Sequence, residues 1–138
     1  MKNINKTAHG ASLLPSGKAT HLLRRKVIEI IHRANRKVKA NGLNKLPRIG
    51  VRIVTNGDGT FAGYGKIDQC IIHIAESTLK YTELNLLHVV LHEVLHGLGY
   101  PHKQKCKLMH PNWDNGPIVE SEQWAVFNEY VADYQSNC

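Results

Sequence analysis

His92-Glu93-Val94-Leu95-His96-Gly97-Leu98-Gly99-Tyr100-Pro101-His102 is the stretch from which the rest of the chain is read. His92 and His96 are four residues apart, so on a helix of 3.6 residues per turn both imidazoles leave one face and can close on one ion. Glu93 stands beside the pair as a carboxylate free to act as a general base on a water whose pKa zinc lowers to about 7. Gly99 tolerates the left-handed conformation that ends a helix and turns the chain back, and Pro101 resists further helix. His102 then becomes a third ligand. A tetrahedral ion with three protein ligands keeps a position for water or substrate, which separates a catalytic zinc from a closed structural one.

HExxH alone recurs by chance, whereas HExxHxxGxxH is specific. The longer pattern resembles the zinc signature of the metzincin metalloproteases, nearest the matrixin-like branch. The likeness extends over roughly residues 61–113. Metzincins carry a methionine-containing turn beneath the metal, and Met109 lies in Lys107-Leu108-Met109-His110-Pro111, after the third histidine. Lys103 and His110 depart from the matrixin pattern, which usually has serine and tyrosine there.

The resemblance implies a zinc endopeptidase holding one Zn2+ on His92, His96 and His102, with Glu93 as base and Met109 as a hydrophobic floor. Its implied substrate is a peptide or protein. The resemblance also makes the strand before the zinc helix, Cys70, Ile71, Ile72, His73 and Ile74, a sheet edge on which an extended substrate pairs. There, free backbone groups bind the peptide and side-chain pockets select among sequences. Pro111, Asn112 and Trp113 would form one wall of the pocket for the residue after the scissile bond.

The expected fold class is α+β and zincin-like: a small twisted mixed sheet, a long N-terminal helix, an active-site helix and a C-terminal helix. Residues 1–19 lack periodicity and read as an arm, and residues 20–138 read as a single catalytic domain. With Thr20 as cap, Leu23, Val27, Ile30, Ile31, Ala34 and Val38 form the apolar stripe of a helix to about Ala40, closed by Asn41-Gly42. Arg48–Thr55 reads as a strand, Asn56–Gly59 as a turn, Phe61–Tyr64 as a short strand and Gln69–Ile74 as another. The zinc helix is expected from about Glu83 to Leu98 with Thr82 as cap, and a last helix from Ile118 to about Gln135 through Trp124, Phe127, Val131 and Tyr134.

A chain of 138 residues with 42% hydrophobic and 21% charged residues is an ordinary single-domain globule. No apolar run approaches a membrane span. The N-terminal segment has no apolar stretch long enough for a secretory signal, so a cytoplasmic start is expected, with release by lysis or non-classical export compatible. A monomer is the default. The net charge of +7 is uneven, with twelve Lys and Arg against Glu29 alone through Gly50, then six against ten acids. This basic first third reads as a solvated helix face; the alternative is weak electrostatic binding of nucleic acid or another anionic surface, making the chain a nucleic-acid-associated zinc protease.

Cys70, Cys106 and Cys138 are odd in number and lack CxxC spacing, so no disulfide framework is expected. Cys106 reads as a plain thiol, with an extra or inhibitory metal ligand as the alternative. His88 repeats the histidine row one turn earlier, but its pairing with His92 has no acid after the first histidine and no turn to bring a third ligand. Glu129 is the rival to His102, because Asn128–Asp133 resembles the helix from which gluzincins contribute a glutamate. A non-catalytic zinc-binding module is the remaining alternative, against which Glu93 speaks, since a structural site needs no base.

Overall fold

A computed structural model of the chain describes residues 17–55, 63–65, 70–111 and 119–137. The order is α1 (Lys18–Ala40), β1 (Gly50–Val54), β2 (Gly63–Gly65), β3 (Ile71–Ala75), a 3-10 segment (Glu76–Lys80), α2 (Glu83–Gly97) and α3 (Glu120–Ser136). It is a mixed α+β arrangement of three helices and one small sheet among the described residues. The expected turn at Asn56–Gly59 and the arm before Gly17 lie outside them.

Helix α1 buries Leu23, Val27, Ile30, Ala34 and Val38, the spacing of one helical stripe, while Ile31 is only half-buried. Thr20 does not cap it. The helix starts at Lys18, after Gly17 at φ 97°, and the Gly17 carbonyl accepts from the His21 amide. No neighbour comes within 4 Å of a Cβ built on Gly17, so conformation and not crowding is what glycine supplies there. This bend lets Lys18 and Ala19 begin the helix before the first buried residue. At the other end, Leu43 N–H donates to the Val38 carbonyl and Gly42 N–H to Lys39, both at 3.0 Å, the paired bonds of a Schellman motif.

The strand order is β1-β3-β2, with β1 parallel and β2 antiparallel to β3. The mixed sheet agrees with the sequence reading, but β3 is its middle strand. Helix α1 packs on β1 and the 3-10 segment, α2 on β2 and β3, and α3 on both other helices. The core between them gathers Leu23, Val27, Ile53, Ile72, Ile74, Leu91, Leu95, Leu108, Met109 and Phe127.

Part of the positive charge on α1 takes part in contacts with its neighbours. Arg24 donates to the Val51 carbonyl at 2.6 Å. Arg33 pairs with Glu120 at 2.6 Å, Glu120 also accepts from the Trp124 indole at 3.1 Å, and Arg33 and Lys37 stand 5.6 and 5.7 Å from the Trp124 ring centroid. Arg36 pairs with Glu29. Gln135 exchanges two hydrogen bonds with the Asn44 backbone, fixing the end of α3 to the segment after α1. No helix among the described residues is long and apolar enough to cross a membrane.

Candidate metal centre

Helix α2 begins as expected, with Thr82 Oγ1 accepting from the Asn85 amide at 3.1 Å. It is buried from Leu86 to Gly97, because the sheet and both other helices cover it. At its end Tyr100 N–H donates to Leu95 and Gly99 N–H to His96, at 3.0 and 2.9 Å, with Gly99 at φ 108°. This second Schellman motif reverses the chain after one left-handed residue. The turn carries His102 back to the helix face.

The ligand atoms of His92, His96 and His102 all lie within 4.8 Å of one another, close enough to hold a metal ion. The His102 ring centroid is 5.1 Å from that of His92 and 4.7 Å from that of His96. His92 and His96 are buried and His102 is exposed, so the group opens to solvent on the side of the third histidine.

Backbone carbonyls orient the two buried rings. The Leu108 carbonyl is 2.7 Å from His92 Nδ1 and the Tyr100 carbonyl 2.7 Å from His96 Nδ1. A carbonyl only accepts, so each Nδ1 carries the proton and each neutral ring presents its Nε2 lone pair. Those two Nε2 atoms are 3.1 Å apart. With both Nδ1 atoms protonated no hydrogen lies between them, and two facing lone pairs at that distance suit a shared cation. Nitrogens on one tetrahedral zinc, with bonds of about 2.0–2.1 Å, stand about 3.3 Å apart.

The rings are kept neutral by their surroundings. Burial pushes His92 down to about 4; the Leu108 carbonyl opposes this, and the charges His96, His102 and His88 would carry add to it. Burial also lowers His96, against the Tyr100 carbonyl. Neutral imidazole is the form that binds metal.

Glu93 is 5% exposed and follows His92 directly on α2. A carboxylate so placed is costly to bury, and that cost makes it a functional candidate, not a surface charge. Met109 is fully buried in the core. Its turn is closed by Met109 N–H to the Cys106 carbonyl at 3.2 Å and Lys103 N–H to the Met109 carbonyl at 2.9 Å, and the adjacent Leu108 carbonyl orients His92.

Among the described residues, neither Cys106, Glu129 nor His88 belongs to the metal-competent group. Cys106 instead stands by the Tyr130 hydroxyl, which burial first and Cys106 second push up to about 12. Glu129 is exposed on α3, where it lines a groove of about 910 Å3 together with His102, Lys103, Lys107 and Tyr130. His88 is buried, its ring 6.4 Å from that of His92, and burial lowers it to about 4 against the Leu108 carbonyl.

The expected substrate strand requires correction. Ile72, His73 and Ile74 are paired on both sides, with β1 partners Val51, Arg52 and Ile53 and β2 partners Gly65, Tyr64 and Gly63. Ile72 and Ile74 are fully buried, so neither their backbone nor their side chains meet a substrate as an edge would. Cys70 and Ile71 are exposed at the start of the strand and His73 is half-buried. Among the described residues the edges are β1 and β2, and the antiparallel one is β2. Pro111 is exposed; Asn112 and Trp113 lie outside the described residues.

The sequence reading missed the carbonyls of Leu108 and Tyr100. Every residue has a carbonyl, so composition carries no trace of them; the signal lies only in the Gly99 turn and the placement of Met109. No family model matches the chain, and no curated protein or solved structure matches it.

Proposed function

We propose that this chain is a zinc-dependent endopeptidase of the metzincin type, with His92, His96 and His102 as ligands and Glu93 as general base. The observation that carries the proposal is the pair of Nε2 atoms 3.1 Å apart, each held lone pair inward by a carbonyl on its Nδ1. A zinc ion held there supplies Lewis acidity toward a substrate carbonyl and toward a water molecule.

Glu93, next to His92 on α2, takes the proton from the attacking water and passes it to the leaving amine. The Leu108 and Tyr100 carbonyls hold the two buried rings in one tautomer, so the ligands need no reorganisation. An extended peptide would lie along β2, beside α2, by adding its backbone to the side of that strand that has no strand partner among the described residues.

Glu93 separates this reading from a zinc site that only supports folding. A peptide-library digest by zinc-loaded protein is expected to show cleavage that Glu93→Ala abolishes while zinc content and fold are kept. Equal cleavage by the variant would refute the role of Glu93, and no cleavage by either would leave a folding site as the better account.

A further inference from the structure

Tyr100 is tied to two parts of the molecule at once. Its carbonyl accepts from His96 Nδ1 at 2.7 Å, and its amide closes the Schellman turn on Leu95. Its side chain reaches α3, where the hydroxyl donates to the Asp133 carboxylate and stands 3.2 Å from the Tyr130 carbonyl. The ring packs edge-on against that of Tyr130, centroids 4.8 Å apart.

We propose that the Tyr100 hydroxyl, anchored on Asp133 of α3, is a positioning device for the metal site: it fixes the carbonyl that sets the tautomer and direction of His96. This rests on the reading of His92, His96 and His102 as metal ligands. The Gly99 and Tyr100 amides close the turn on the helix, and the Tyr100 hydroxyl adds a side-chain tie to α3 at the residue whose carbonyl meets His96. The hydroxyl donates to a carboxylate on a helix that is itself tied to α1 by Arg33–Glu120 and to the segment after α1 by Gln135–Asn44. The chain of contact therefore runs α1, α3, Asp133, Tyr100, His96, metal. Groups that orient a metal-binding histidine typically change metal affinity 10- to 100-fold when removed. Tyr100→Phe leaves the carbonyl in place and removes only its anchor, so the effect is expected near the lower end.

The test measures zinc affinity by chelator competition, the visible absorption of the cobalt(II)-loaded protein, and the urea midpoint of the metal-free protein. The variants are Tyr100→Phe, Asp133→Ala and, as a control on the same interface, Tyr130→Phe, whose hydroxyl faces Cys106 and takes no part in the anchor. Tyr100→Phe and Asp133→Ala should each weaken zinc binding about tenfold and shift the cobalt bands, with Tyr130→Phe matching wild type in both. Wild-type affinity and an unshifted cobalt spectrum in both anchor variants would overturn the inference. Equal loss in all three variants, in step with the urea midpoint, would also overturn it, by showing general packing. Wild-type protein that takes up no zinc would instead defeat the metal-site reading itself, and the inference with it.

Discussion

The metal-free protein should lose stability as pH falls from about 6.5 to 4, because His88 and His92 are buried as neutral rings. The ordinary value of each is 6.5, and each is lowered to about 4 in the fold, chiefly by desolvation. A lowered pKa on a base means that the unfolded chain binds protons the folded chain refuses, so between these two values stability rises with pH. The contribution is fully present above 6.5 and is lost as the pH approaches 4. A shift of this size corresponds to about 3 kcal/mol for each ring at 1.36 kcal/mol per pKa unit, a large fraction of a small domain's stability of roughly 5–15 kcal/mol. The two rings are 6.4 Å apart and share the Leu108 carbonyl, so their contributions are not simply additive. Urea unfolding of chelator-treated protein, followed from pH 7.5 to 4.5, measures the effect. His88→Leu removes one titrating ring at nearly constant apolar volume and should flatten the profile. A midpoint that does not fall across this window, or an equal fall in His88→Leu, would refute the assignment of buried neutral imidazoles.

Gly99→Ala places a Cβ at φ 108° and should cost about 1–2 kcal/mol in urea unfolding, with weaker zinc binding because the turn carries His102 and the Tyr100 carbonyl. A variant as stable and as zinc-avid as wild type would show that the turn does not depend on the left-handed residue. Met109→Ala should destabilise by about 2–5 kcal/mol, since Met109 is fully buried, whereas Met109→Leu should cost less than about 1.5 kcal/mol. Equal costs for the two would contradict a floor that acts by filling volume.

The helices and the histidine group were legible because both are matters of short spacing. Leu23 through Val38, Thr82 and the interval from His92 to Gly99 fix a stripe, a cap and a stop from neighbours in sequence. Strand order was not, because it depends on which distant segments pair. Thr20 looked like the better cap by residue type, yet the positive φ available at Gly17 moved the start of α1 earlier. The carbonyls that orient His92 and His96 were invisible for a different reason, since tertiary placement and not side-chain identity makes them specific.

The charge asymmetry also reads differently once α3 is in place. Arg24 and Arg33, both half-buried, are engaged by the Val51 carbonyl and by Glu120, whereas Lys37 stays exposed over Trp124.

The most direct test of the account is zinc stoichiometry by elemental analysis, measured on wild-type protein, His96→Ala, His102→Ala and Glu129→Ala after dialysis against limiting zinc. The account predicts one zinc per wild-type and Glu129→Ala chain, and a marked loss in both histidine variants. Undiminished zinc in His102→Ala, with loss in Glu129→Ala, would contradict the three-histidine site on which the proposed chemistry stands.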